Sequence, residues 1–468
     1  MSAVTITADE LRRARATRGL ASFLDAATNF PDPWRGGVWQ PAHIAQMEMI
    51  ASRSVLQMAA KYRQRFLRNF YELGKANLIA QKDEPTAFIM TAGQPQAEII
   101  ARFLEILMWQ GIEVHQLTKE LYLRMEPKAD YHEMPLGSFL IFVNQPQKNN
   151  ILSLFERQVY PSRLLPNGEA EAPYDIAGWT LPLQMGIEYD PIWEIRDAEK
   201  EMATLKRVVN IDQARAVMNL NAVAHSFPKL PNPLKSRPRI GLYKPFTSSM
   251  DEGWTRFVLD LHQIPFKSIS NAELLQNKLD CDVVILAADR ESTILSGLSE
   301  ERYPAELAGG IGETGVENLK KFVDAGGKLI CFDDSCELVI KRFGLPIKNV
   351  LSGLKRNEFF NPGSIVKLAV DTRSPLARGM REELPAYFIN SSAFEIAQDA
   401  RVRVIARYAR ENTLMSGWML GEKFLNGKPT LAETDYGKGK IVLFAFRPQH
   451  RGQTFATFPF IFNALEKD

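Results

Sequence analysis

Apolar residues recur at steps of three and four from Ile44 through Met47, Ala51, Val55, Met58, Tyr62, Phe66 and Phe70 to Leu73. That spacing predicts one long helix over residues 41–74, with Pro41 in its first turn and Gly74 at its end. The stretch before it, TNFPDPWRGGVW, is rich in Pro and Gly and reads as irregular loop. After Pro85 the period changes. TAFIM reads as a strand, QPQAEIIARFLEILMWQG as a helix and IEVHQL as a second strand. Together they predict a βαβ unit and hence a parallel sheet. GSFLIFVNQ adds a strand, and residues 160–191, rich in Pro and Gly, read as ordered wrapping loops.

The C-terminal half alternates strand and helix. RIGLYKPF is a strand, and MDEGWTRFVLDLHQ a helix with Trp254, Phe257, Val258 and Leu261 on one face. CDVVILAAD is a continuous apolar run, as a strand covered on both faces requires. GVENLKKFVDAGG, KLICFD, SCELVIKRFG, KIVLFAFRP and TFPFIFNALEK continue as helix, strand, helix, strand and helix. The pattern predicts an α/β protein: a long N-terminal helix, a smaller α/β domain, and a C-terminal doubly wound parallel-sheet domain of the flavodoxin kind. The expected divisions are 1–40 (loop), 41–80 (helix), 81–226 and 238–468. The last boundary lies at FPKLPNPLKSRPR, residues 227–239, which holds four prolines.

Composition narrows the function classes. A formal charge of +2 over 468 residues argues against nucleic acid as the main partner. No apolar run approaches the roughly 20 residues that cross a bilayer. The N-terminus lacks the apolar core of a signal peptide, so the chain as written is expected in the cytoplasm. Three cysteines, Cys281, Cys331 and Cys336, without a C-x-x-C pair, predict neither a disulfide framework nor a structural zinc site. Cys281 and Cys331 fall in or beside predicted strands, where inert buried thiols belong.

GGKLICFDDSC, residues 326–336, is the first candidate for chemistry. A strand, a tight turn and a helix place a side chain at a helix N-terminus, where a thiol can be activated. The order resembles the nucleophile elbow of class I glutamine amidotransferase-like domains. Superposing the glycine pairs puts Asp333 at the nucleophile position and Cys336 inside the next helix. The structural alternative is that Asp333, Asp334 or Ser335 caps that helix. His450, in FRPQHRGQ, stands where a base would be needed but lacks a Glu two residues on. With Arg447 and Arg451 beside it, the loop reads instead as an anion-binding or salt-bridging loop, with Tyr243 and Trp254 as possible neighbours. GGIGETG matches G-x-G-x-x-G without a preceding strand, so it reads as a helix entry. His43, His115, His132, His225, His262 and His450 are scattered, and none stands in a zinc-binding spacing.

Several segments together resemble the C-terminal region of large bacterial zinc carboxypeptidases of the carboxypeptidase A-like class. They include NFPDPWRGGVW, RNFYELGK, MPLGSFLIFVNQP, PYDIAGWTLPLQMGIE, FFNPGSIVKLAVDTRSPLARGM and GKGKIVLFAFRPQHRGQTFATF, and run from about Ala21 onward. The resemblance implies a catalytic domain upstream, with zinc held by an H-x-x-E pair and a later His. This chain has no such residues, so no cofactor is expected in it. FLDAAT falls near the place of the family's general base, with Asp25 as the nearest carboxylate. Three accounts stay open: an accessory part of a peptidase, exported if so; a stand-alone protein binding a peptide, small molecule or partner domain; and a degenerate amidotransferase-like hydrolase using Cys336.

Overall fold

A computed structural model describes residues 3–14, 24–28, 30–220, 230, 232–247 and 249–466. His225 and part of the expected linker at 227–239 lie outside them. The chain divides into two units, Met1–Ile79 and Ala80–Asp468.

In the first unit, strands Val4–Ile6 and Gly37–Trp39 pair antiparallel. Helix Ala8–Arg13 starts with a capping box, Thr7 and Glu10 satisfying each other's backbone N–H groups. The long apolar pattern is helical as expected, in two segments, Pro41–Lys61 and Arg63–Asn77. The hydrogen bonds from Tyr62 N to Met58 O and from Phe66 N to Tyr62 O run on through the junction. Gly74 does not end the helix, which continues to Asn77. Neither segment buries a residue.

The second unit holds two main sheets. The smaller has the order Leu205–Arg207, His115–Leu117, Phe139–Phe142, Ala87–Met90, Asp190–Ile192. The βαβ expectation is corrected here. Ala87–Met90 and His115–Leu117, joined by helix Ala97–Trp109, do not pair; Phe139–Phe142 lies between them, antiparallel to both. All four residues of that strand are apolar and buried, so it takes a central place with neighbours on each side.

The larger sheet has ten strands. Lys267–Ile269, Ile240–Tyr243, Val283–Leu286, Lys328–Phe332 and Gly439–Phe444 run parallel in that order. Beyond them Pro429–Tyr436, Val402–Tyr408, Ser364–Val370 and Glu383–Phe388 pair antiparallel. The doubly wound parallel expectation therefore holds for half of the sheet. The switch is local: Tyr436 pairs with Gly439 across a two-residue turn, and Gly437 takes φ 56°. Such a hairpin imposes antiparallel strands, whereas parallel ones need a crossover.

Alternation along the parallel strands feeds two cores. Val283, Ile285, Ile330 and Phe332 join one, with helices Met250–Leu261 and Phe458–Leu465. Val284, Leu286, Leu329 and Cys331 join the other, with Gly312–Asp324 and Ser335–Arg342. The expected inner face of Met250–Leu261 is also corrected. Glu252, Thr255, Val258 and Leu259 are buried, while Phe257 is exposed. Glu252 is tolerated inside because Arg256 pairs with it. Hydrogen bonds tie the loop at Gln158 and the chain at Trp179–Thr180 to strand Leu414–Ser416 of the larger sheet. The Gln158 side-chain oxygen accepts from Trp179 N, Thr180 N and Ser416 Oγ, and Ser416 Oγ accepts from Gln158 N.

Candidate functional site

Parallel strands bring their C-terminal ends to one edge, where α/β proteins build sites. Lys328–Phe332 ends there in Asp333, a fully buried residue at φ 50°. A non-glycine residue in this left-handed region marks a strained turn. Helix Ser335–Arg342 follows at once. Asp333 thus forms the tight turn between this strand and this helix.

Asp333 is held through its backbone N–H and its Oδ2, while its buried Oδ1 has no hydrogen-bond partner among the described residues. Asp333 N donates to Phe444 O at 2.7 Å, and Ser391 Oγ donates to Asp333 Oδ2 at 2.6 Å. Arg447 Nη1 lies 3.3 Å from the same oxygen. Arg447 also donates to Asp251 Oδ2 at 3.0 Å and to Ile389 O at 2.6 Å, and lies 3.6 Å from Asp334. Asp289, half-buried at the end of the next strand, completes an acidic rim. One guanidinium is shared among three carboxylates, so compensation is incomplete. Burial pushes Asp333 up to about 7 against the pull of Arg447. Burial likewise raises Asp251 and Asp289.

The thiol reading of the elbow is corrected. Cys336 is 1% exposed, in the first turn of the helix, and its Sγ contacts Phe444 O at 3.2 Å and Cys331 O at 3.4 Å. Burial and nearby carboxylates raise its pKa well above the ordinary value, which suppresses the thiolate. Ser335 Oγ accepts from Phe332 N and lies within hydrogen-bond reach of Leu286 O and Phe332 O. Neither Asp333 nor Asp334 caps the helix through its side chain.

Of the two readings of the 447–451 loop, the geometry matches the salt-bridging one. Arg447 is committed to the carboxylates, and Arg451 forms a fork with Asp175 at 3.0 and 3.2 Å. His450 is buried and stacked on Tyr387, ring centroids 3.9 Å apart and 5° from parallel. Burial and the two arginines hold it down at about 3, so it stays neutral. Its Nε2 has no hydrogen-bond partner among the described residues. Tyr243 turns away and donates to Asn271 Oδ1 at 2.7 Å. Trp254 packs on Phe257 and lies beside Gly452, so it alone meets this loop from the Tyr243–Trp254 pair. Asp25 sits exposed in a bend of the first unit.

The acidic residues Asp251, Asp289 and Asp175 and the hydroxyl donor Ser391 are what sequence reasoning missed. MDEG, AADR and FDDS each put Asp just past a strand or in a helix's first turn, which is the signal available. Gly310 of the G-x-G-x-x-G stretch lies against the carbonyls of Ile294 and Leu295, where a Cβ would collide. That glycine serves backbone packing, and the helix starts at Gly312.

A cavity of about 710 Å³ opens elsewhere in the second unit. Phe88, Phe155, Tyr189 and Trp193 line it with Arg157 and Asp190. Among the described residues no group of three His, Cys, Asp or Glu is placed to hold a metal ion. No helix among them is long and apolar enough to cross a membrane.

No family profile matches the chain, and no curated protein matches it. Similar solved structures include the cytoplasmic protein STM3548 of Salmonella typhimurium, at 15% identity and TM-score 0.32, covering 48% of this chain and 97% of that one. A ThuA-like protein of Bacteroides uniformis has 10% identity and TM-score 0.30, covering 52% and 95%. A β-galactosidase of Bacillus circulans sp. alkalophilus has 13% identity and TM-score 0.29, covering 50% and 31%. The chain itself is a mixed α/β protein.

Proposed function

We propose that this chain is the accessory, non-catalytic region of a zinc carboxypeptidase-like protein. On this proposal residues 238–468 form an amidotransferase-like domain whose elbow has become a structural salt bridge. The observation that carries it is Asp333: the residue at the nucleophile position is fully buried and held by Ser391 and Arg447. A nucleophile must reach substrate with a base in hydrogen-bond range. Asp333 has no access, Cys336 no accessible thiolate, and His450 no acid partner. Zinc chemistry belongs, on this proposal, to a separate catalytic domain.

The purified full chain, assayed with zinc on peptides with free C-termini and on glutamine, should show no turnover. Turnover abolished by a chelator, or by Cys336→Ala, would overturn the proposal. A second reading, a stand-alone ligand-binding protein, is favoured by the aromatic-walled cavity. Its size falls in the range of small-molecule sites, about 300–1,000 Å³. It expects a compound that raises the melting temperature of the wild type and not of Trp193→Ala. A screen in which no compound separates the two proteins counts against it.

A further inference from the structure

Every residue lining the cavity of about 710 Å³ lies between Asp83 and Trp193, so the second unit builds it alone. It opens beside the edge of the smaller sheet. Strand Asp190–Ile192 is that edge and pairs with Ala87–Met90. Helix Lys148–Phe155 ends against it, where the Tyr189 hydroxyl donates to Phe155 O at 2.5 Å. Phe88 stacks on Phe155, ring centroids 4.6 Å apart and 14° from parallel, and Tyr189 meets Phe155 edge-on at 5.6 Å. These two phenylalanines are buried and brace the wall, while Tyr189 and Trp193 are only half-buried and keep surface open to the cavity.

The charge of the lining is one-sided. It holds the carboxylates of Asp83, Glu84, Glu126, Glu156 and Asp190 against one cation, Arg157. Among the described residues only Glu84 of this set forms an ion pair, with Lys148 at 2.6 Å. Arg157 acts on Tyr189 and Asp190, pulling both down against the rise that burial imposes. Asp83, Glu126 and Glu156 are exposed and stay uncompensated. Phe155 and Glu156 also bring the C-terminal end of their helix to the lining, which is the negative end of its dipole. A neighbouring cavity of about 400 Å³ shares Arg157, Tyr189 and Asp190. There Glu188, Asp190 and Glu383 are matched by Arg157, Lys367 and Arg381, so the excess of acid belongs to the larger cavity only.

These features select a ligand class. Aromatic walls take an apolar body. The carboxylates repel an anion and attract a cation, and ring faces add cation–π attraction, strongest at Trp. A bare metal ion gains little from such walls, and no metal-holding group is formed among the described residues. We propose that the cavity binds a small organic cation, a protonated amine carried on an aromatic or branched apolar body. The proposal deepens the ligand-binding reading above and rests on it. The body lies against Tyr189 and Trp193, and the ammonium faces Asp190, Glu126 and Glu156.

Titration calorimetry of the full chain at neutral pH tests this with probes of one shape and different charge: 2-phenylethylamine, 2-phenylethanol and 3-phenylpropionate. The amine should bind at least about 10-fold more tightly than the alcohol, and the acid most weakly. Added salt should weaken the amine and spare the alcohol. Trp193→Ala should cost the amine about 10-fold, and Asp190→Asn should cost it about as much while leaving the alcohol unchanged. Glu126→Gln combined with Glu156→Gln alters exposed side chains only, so it carries no folding risk, and should weaken the amine by about 3-fold or more. An alcohol or acid that binds as tightly as the amine and is lost in Trp193→Ala would overturn the cation and leave the ligand-binding reading standing. An amine whose affinity ignores either the Trp193 or the carboxylate substitutions binds elsewhere and also overturns the proposal. Binding of none of the probes overturns it too, and the reading beneath it falls as well only if the wider compound screen is equally silent.

Discussion

At Arg447, one buried guanidinium answers to Asp251, Asp333 and Asp334. Arg447→Met should cost about 3–5 kcal/mol in denaturant unfolding at pH 8, because it leaves Asp333 buried and charged. The loss should shrink toward pH 5, where Asp333 holds its proton. Two buried groups give the molecule opposing pH dependences. Asp333, pushed up to about 7, keeps its proton in the folded chain while the unfolded chain releases it near the ordinary carboxylate value. Its contribution therefore weakens as pH rises from about 4 to 7. His450, held at about 3, stays neutral while the unfolded chain takes up a proton below about 6.5. Its contribution weakens as pH falls. Between about pH 4 and 6.5 the two slopes, each up to about 1.4 kcal/mol per pH unit, oppose one another. Asp333→Asn should expose a stability that rises with pH over this window, and His450→Phe one that falls. Urea titrations of both variants at four pH values check this. Equal slopes in the two would refute the assignment.

At the scale of elements, the turn after Pro429–Tyr436 decides how the larger sheet is wired. Gly437 sits at φ 56°, and a Cβ there would collide with Asp324 of the packed helix. Gly437→Ala should destabilise the chain by about 1–3 kcal/mol by thermal unfolding. YGKG is not read as a hairpin from the sequence, because the strand–helix alternation suggests a purely parallel sheet. The helices fared differently. The 41–77 pattern was legible because its 3.6 period persists through ten turns. The buried face of Met250–Leu261 was not, because its buried row includes Glu252 and Thr255, which read as polar until Arg256 and Asp251 O are seen to satisfy them.

For the whole molecule, the hydrogen bonds centred on Gln158 fasten the loop after helix Lys148–Phe155 to strand Leu414–Ser416 of the larger sheet. Gln158→Leu leaves Trp179 N, Thr180 N and Ser416 Oγ without their acceptor, a loss of about 2–4 kcal/mol. Urea unfolding of the variant against the wild type, followed by far-UV dichroism, reads this loss. An unchanged midpoint would refute the role of the network.

What the sequence determined was local. Apolar periodicity specified the elements, and the glycine pair at 326–327 located the elbow and its Asp333. Those features depend on neighbours within a few residues. The tertiary structure alone decided which charges meet. Arg447 and Asp251 are 196 residues apart and Arg451 and Asp175 are 276 apart, yet each pair closes at 3.0 Å. Pairing at that separation follows from the crossovers of the sheet, which no local pattern encodes. So the loop around His450, which read as anion-binding or salt-bridging, closes through carboxylates that no local pattern places beside it.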